Sequence, residues 1–335
     1  MYHPQCFLCA QCKKPIDGGY QELKGKYYHP HCYREKTGLF CAKCGKLLEE
    51  SWVEQQGKKY HAHCLAIRCH ICGQLIVEDY VYDKDGKYHQ HCFLNRKAPR
   101  CSVCDLPIQG KHMVDSWGNR AHEHHGKQKT EICEYCGRIV SEATSNSGEL
   151  YRDGRLVCGI CKLTAVIGGQ RLEGAQARVK KLLAAPPASF QDIPHPVPVQ
   201  LVDLPTLIKL GGSHIFGLSR GFTRSHIIYE NNKQIKVEHT IYILYGMPLI
   251  QFEAVLAHEL LHAWLTAKEI ALSEKETEGF CNLGSALVFQ AESSPYSRLM
   301  VKHLQENPDR IYGDGYRLMN QRLQKLGWQR LKVSL

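Results

Sequence analysis

The sequence predicts a multidomain α+β chain: an array of small β modules built around paired cysteines and histidines, then a mostly helical domain carrying a sheet with an edge strand. Three observations predict it. Of the 17 cysteines, all but Cys281 lie before residue 162. Those cysteines recur as Cys-x-x-Cys pairs at a nearly fixed period. Beyond residue 248 apolar residues recur at helical spacing, whereas the segment before it alternates as strands do. At 335 residues the chain is long enough for two or more domains.

The modules come first. Cys9 and Cys12 are followed, after sixteen residues, by His29 and Cys32. Cys41 and Cys44 lead after sixteen to His61 and Cys64, and Cys69 and Cys72 lead after sixteen to His89 and Cys92. Cys101 and Cys104 lead after seventeen to His122 and His125, and Cys133 and Cys136 lead after twenty-one to Cys158 and Cys161. Each set offers four nitrogen or sulfur ligands in two x-x-separated pairs, the pattern of tetrahedral zinc with no open position. About five structural zinc ions are expected. The start of the chain shows neither the basic region nor the apolar run of a secretory signal. A reducing, cytoplasmic setting is therefore expected, where such cysteines hold metal rather than form disulfides. No stretch approaches the roughly 18 apolar residues of a membrane span, so no membrane partner is expected.

His31, His63 and His91 sit out of register with the ligand pairs. His125 is preferred to its neighbour His124 on spacing, and His70 and His112 read as surface residues. The formal charge of +10 points at nucleic acid only if the thiols are neutral. Residues 1–165 carry 24 Lys or Arg against 18 Asp or Glu. Fifteen thiolates and five dications lower that excess from +6 to about +1. No nucleic-acid partner is expected.

Two residues separate Cys6 from Cys9, and four separate Cys64 from Cys69. Modules fused in pairs this way, with "YHPQCFLCAQC" at the start, resemble LIM domains. Residues 1–36 read as the C-terminal part of a truncated LIM domain, because His3 and Cys6 lack an upstream Cys-x-x-Cys and should hold no metal stably. Residues 37–96 read as a LIM domain. Residues 97–165, with a seven-residue joint and a His-His end, read as LIM-like. Closed four-ligand sites cannot activate water, so their expected use is partner recognition or regulation.

Residues 166–196 read as a helical and Pro-rich linker. Helix formers stop at Pro186 and Pro187, and His195 lies in a loop between prolines. Residues 197–335 form the second part. "VPVQLVDL" alternates as a strand, and "VEHTIYILYG", residues 237–246, is the stronger strand, expected as the sheet edge that an extended chain could join. His214, His226 and His239 have no ligand spacing.

From Pro248 to about Ala267 the pattern turns helical and contains "AVLAHELLHAW". Residues four apart share a helix face, so His258 and His262 can hold one metal. Glu259 lies roughly 100° round the helix and can reach a metal-bound water without being a ligand. Three polar groups among apolar neighbours are costly to bury without a common partner, which favours one catalytic zinc over three isolated core residues. A third ligand is needed. In "SEKETEGFCNLGSALVFQ" Ser273 and Glu276 form a capping box, which leaves Glu274 in the exposed first turn and Glu278 one turn further in. Glu278 is the expected third ligand, with Asn282 as its supporting partner; a solvated surface glutamate is the alternative. Two further helices are expected near 295–306 and 312–326. Tyr312, Tyr316 and His303 are candidates for the donor that stabilises an oxyanion, with Tyr312 carried forward as the catalytic candidate beside Glu259. Each also fits a packing role. Cys281 reads as a buried apolar residue.

The run from "RSH" through "EHTIYILYGMP" and "LAHELLHAW" to "TEGFCN" and "IYGDGYR" resembles the DA-one family of plant growth-limiting, ubiquitin-regulated LIM peptidases. The resemblance covers nearly the whole chain. It implies that His258 and His262 bind zinc, that Glu259 is the base, and that Glu278 is the glutamate before glycine. It also implies protein substrates, with ubiquitin or ubiquitin-ligase partners. The ubiquitin-interacting motifs that plant members carry ahead of the LIM region are not visible here.

The expected function is a zinc endopeptidase of the thermolysin-like, gluzincin type on a zincin-type fold, with LIM-type modules for recognition or regulation. The alternative is a LIM scaffold or adaptor whose peptidase-like domain is catalytically silent. Closed sites in one half and an open one in the other read as separable, so a fragment starting near Gln170 is expected to retain some hydrolysis.

Overall fold

The computed structural model describes residues 7–48, 51–211, 220–231 and 233–335. They divide into two compact units, Met1–Ala98 and Pro99–Leu335. His3, Cys6 and His214 lie outside the described residues. Among the described residues no helix is long and apolar enough to cross a membrane. The chain carries several small cysteine–histidine modules followed by a mixed α/β region.

In the first unit each Cys-x-x-Cys knuckle is closed by a single bridge: Leu8 to Pro15, Phe40 to Leu47, Arg68 to Leu75. An antiparallel hairpin follows each knuckle, Gln21–Leu23 with Lys26–Tyr28, Val53–Gln55 with Lys58–Tyr60, and Tyr80–Asp83 with Gly86–His89. The last cysteine of each module lies in a short helix, Pro30–Thr37, Ala62–Leu65 or Gln90–Arg96. Apolar packing is sparse: Ile16 and Tyr28 around Cys9 and Cys32, and Tyr88 around Cys69 and Cys92. Cores this small do not sustain a fold alone, so ligated metal must supply the remaining stability.

The second unit contains the last two modules, and the fifth is part of the main core. Cys133, Cys136, Cys158 and Cys161 belong to the same buried cluster as Phe252, Leu256 and Leu260. Arg155 and Asp153 form a buried ion pair. Arg155 also donates to the Tyr245 carbonyl oxygen at 3.1 Å, and Asp153 accepts from the Leu204 backbone N–H at 3.2 Å. Tyr151 stacks on Tyr245 with ring centroids 5.4 Å apart. Ala165 and Val166, just after the last cysteine, pair antiparallel with Pro248 and Met247.

Residues 166–196 are a correction to the expected linker. The helix is there, Gly169–Ala184, but it buries Ala175, Val179 and Leu183, one per turn, in the main core. Ala188 and Phe190 follow them inside, and Lys332 donates to the Ala188 and Ser189 carbonyl oxygens at 2.9 Å each. The prolines end a helix; they do not begin a free spacer, because the apolar stripe needs a surface to cover.

The sheet brings a second correction. Its order is Val199–Val202, Lys233–Leu244, Gly221–Glu230, the first pairing parallel and the second antiparallel. The strand expected as the edge is therefore central, hydrogen-bonded on both sides, with Ile241 and Ile243 wholly buried. Its β-branched density, read as strand strength, reflects burial in the middle of the sheet. Gly221–Glu230 is an edge among the described residues.

Four helices complete the unit: Leu249–Ala267, Glu274–Ala291, Pro295–Glu306 and Tyr312–Val333, the last kinked at Gly327. Ser273 caps the second, its Oγ accepting from the Glu276 N–H at 3.3 Å. Two glycines let that helix approach the last one closely. A β-carbon on Gly279 would lie 2.2 Å from the Gly315 carbonyl oxygen, and one on Gly315 would lie 2.3 Å from that of Lys275.

Candidate functional site

The five zinc-ligand sets expected from spacing are each gathered in space, with the ligand atoms of each set within 4.8 Å of one another. A repeated device orients the histidines. His29 Nε2–H donates to the Pro15 carbonyl at 3.0 Å, His61 to Leu47 at 2.9 Å, His89 to Leu75 at 2.9 Å, and His122 to Pro107 at 3.2 Å. Each acceptor lies three residues beyond the second cysteine of its knuckle. With Nε2 protonated, the Nδ1 lone pair faces the cysteines, 3.3 Å from Cys12 Sγ in the first module.

The fourth module uses the other ring nitrogen at its end. His125 Nε2 is 3.2 Å from Cys101 Sγ, and its Nδ1 is 3.0 Å from Thr130 Oγ1. Thr130 in turn donates to the His122 carbonyl at 2.6 Å. His125, not His124, stands in the cluster. Burial works against a thiolate at Cys9, Cys41, Cys69 and Cys101, but backbone N–H donors from each knuckle and from His29, His61, His89 and His122 outweigh it. Cys9 and Cys101 fall to about 6 and Cys41 and Cys69 to about 5. His31 pairs with Glu35 at the surface, and His112 Nδ1 contacts its local Gly110 carbonyl at 3.0 Å.

The sixth constellation lies in the second unit. On the helix Leu249–Ala267, His258 Nε2 and His262 Nε2 are 3.0 Å apart. Glu278, on the neighbouring helix, brings Oε2 to 3.2 Å from His258 Nε2 and Oε1 to 3.5 Å from His262 Nε2. Asn282 Nδ2 donates to the Tyr312 carbonyl at 3.4 Å, which turns its Oδ1 toward His258 Nδ1 at 3.1 Å. An amide oxygen only accepts, so His258 carries its proton on Nδ1 and presents the Nε2 lone pair to the cluster. Two imidazole nitrogens and a carboxylate converging on one point, with one ring held in the ligating tautomer, are a donor set that fits zinc. Burial would raise the Glu278 carboxyl, but the adjacent imidazoles of His258 and His262 outweigh it and hold it well below the usual range.

Glu259 is buried and points to the sheet. Thr223 Oγ1, on the edge strand, reaches its Oε2 at 2.7 Å and its backbone oxygen at 3.0 Å. Gly221, two residues earlier, abuts the same side chain: a β-carbon there would lie 2.6 Å from Glu259 Oε1. Neither residue carries a sequence signal, because only strand pairing brings them to the helix.

The oxyanion candidates separate. The Tyr312 phenol is pushed up first by burial and then by the negative charges of Glu278, Glu274, Asp309 and Glu259, and its backbone carbonyl accepts from Asn282 Nδ2. Tyr316 is wholly buried, and its hydroxyl has no hydrogen-bond partner among the described residues. His303, on the helix Pro295–Glu306, has its imidazole pushed down chiefly by burial. Glu276 is committed to Ser273 and to Arg322 at 2.9 Å, and Glu274 is exposed. Cys281 is fully buried, its thiol pushed well up by that burial. His239 lies in the central strand with Nδ1 2.8 Å from Ser225 Oγ, and His226 is exposed on the edge strand.

A family model described as DA1-like, Protein DA1, matches residues 220–294, and a LIM domain model matches residues 1–37. Three proteins of Arabidopsis thaliana are similar to this chain. Protein DA1-related 1 is 24% identical over 98% of the chain and 60% of its own length. Protein DA1 is 23% identical over 98% of the chain and 61% of its own length. Protein DA1-related 2 is 24% identical over 89% of the chain and 51% of its own length. The chain thus spans about three-fifths of the length of the first two and about half of the third.

Proposed function

We propose that this chain, which carries a DA1-like domain and a LIM domain, is a zinc-dependent endopeptidase acting on protein substrates, its cysteine–histidine modules serving recognition or regulation. The observation that carries the reading is the convergence of His258, His262 and Glu278 with Glu259 one residue round the same helix. His258, His262 and Glu278 would hold one zinc ion, and the five module sets would hold five more. Zinc at the first site would supply Lewis acidity toward the scissile carbonyl and toward water.

The residues of the chain supply the rest. An extended substrate would add as a further strand along Gly221–Glu230, an edge of the sheet among the described residues. Glu259 takes a proton from the attacking water as the new C–O bond forms, and delivers it to the amine nitrogen as the C–N bond breaks. Tyr312 is the donor proposed to steady the negative charge on the carbonyl oxygen.

Hydrolysis of casein by the intact protein, abolished by a chelator and by Glu259→Gln, is the expected result. Equal cleavage by parent and Glu259→Gln, or none by either, would leave the scaffold reading in its place.

A further inference from the structure

Resting on that hydrolytic reading, we propose that Thr223 is a positioning residue for Glu259, and that Gly221 keeps open the space its carboxylate occupies. A glutamate side chain has three rotatable torsions, and a base that both takes and returns a proton works only from a narrow range of orientations. Thr223 narrows that range. Its hydroxyl lies 2.7 Å from Oε2 and 3.0 Å from the backbone oxygen of the same residue, so its single proton is shared between the head of the side chain and its root.

Thr223 is itself held. It pairs with Ile241 of the central strand, between the Gly221–Ile243 and Ser225–His239 pairs. Its β-branched side chain has restricted χ1 freedom, so the hydroxyl position follows from the strand position. On the other flank a β-carbon at residue 221 would lie 2.6 Å from Oε1, 2.9 Å from Glu259 Cγ and 2.7 Å from Val255 Cγ1. Any side chain there would push the carboxylate away from the strand. Thr223 and Gly221 also belong to the edge that would receive the substrate, so one strand sets both substrate register and base orientation.

The test compares the intact chain with Thr223→Val, Thr223→Ser, Gly221→Ala and Glu259→Gln for zinc content, melting temperature, kcat and KM. Thr223→Val preserves shape and removes the hydroxyl. Its kcat is expected to fall about tenfold or more, with KM and zinc content unchanged, and Thr223→Ser is expected to recover most of the loss. Gly221→Ala should lower kcat by displacement, and it stands as the second probe if Thr223→Val fails to fold. Parental kcat in Thr223→Val or in Gly221→Ala, beside an inactive Glu259→Gln, overturns the positioning role while leaving the peptidase reading intact. A parent no more active than Glu259→Gln sinks the peptidase reading instead. Crystal structures of parent and Thr223→Val then decide the positioning separately: a displaced Glu259 carboxylate supports it, and an unmoved one overturns it.

Discussion

Gly279 and Gly315 bring two helices into backbone contact: a β-carbon on Gly279 would lie 2.2 Å from the Gly315 carbonyl oxygen. The residue before Gly279 is Glu278, so shifting this helix at Gly279 would also shift the third donor relative to His258 and His262 on the helix Leu249–Ala267. Backbone cannot swing aside as a side chain can. Gly279→Ala should therefore cost about 1–3 kcal/mol through overpacking and weaken zinc at this site. Calorimetry and metal analysis of the variant check it, with one zinc lost per chain and the module zinc retained.

The roles of two glutamates can be separated. Glu259→Gln keeps the helix and all three donors, so zinc should remain while turnover falls by about 10²- to 10⁴-fold. Glu278→Ala removes a donor, so zinc and turnover should fall together. Full metal and full turnover in Glu278→Ala would remove Glu278 from the donor set. Glu276 is a poor substitute, being held by Ser273 and Arg322.

Asn282 fixes the His258 tautomer through its 3.1 Å contact with Nδ1. Asn282→Ala should weaken zinc binding at this site by about 10- to 100-fold. Competition with a chelator of known affinity measures it. An unchanged affinity would mean the ring is oriented by packing alone.

Deletions should behave differently from what the sequence suggests. A fragment from Pro99 keeps the fifth module and should fold with three zinc ions, against six for the intact chain. A fragment from Gln170 loses Tyr151, Val157 and Val166 from the core and breaks the Asp153–Arg155 bridge to Tyr245 and Leu204. It should not fold. A cooperative melt of the Gln170 fragment, or three or fewer zinc ions in the intact chain, would contradict this assignment.

In the first unit Lys97 bonds Asp83, Asp85 and Tyr88. Its ammonium group is the main reason the Asp83 carboxyl is lowered to about 2. A carboxyl lowered by folding contributes stability above its unfolded pKa near 4 and loses that contribution as pH falls through about 2. Lys97→Met should bring the Asp83 titration back toward the ordinary range, which NMR of the side-chain carboxyl can follow. A titration that does not move would assign the shift to the Asp85, Gly86 and Tyr88 donors instead.

Much of this molecule is written in local sequence. The Cys-x-x-Cys pairs, the four-residue step from His258 to His262 and the Ser273–Glu276 cap are set by bond geometry within a turn or two of chain. Their residues could be named before any fold was known. Glu278 was legible for a related reason, since elimination along one helix left it pointing away from the apolar stripe. Tertiary structure decided what depends on distant partners. Strand alternation marks residues 237–246 as a strand but not which neighbours flank it, and pairing with Val199–Val202 makes that strand central. The helix Gly169–Ala184 shows its apolar stripe in sequence, but only packing shows that the stripe is covered by the main core. Thr223, Gly221 and the Asn282–Tyr312 contact meet their targets across about 30 to 40 residues of chain or more, where no local periodicity carries the information. Ligand spacing is a short-range constraint that sequence records directly, whereas the orientation of Glu259 is a long-range one that exists only once the strand has docked on the helix.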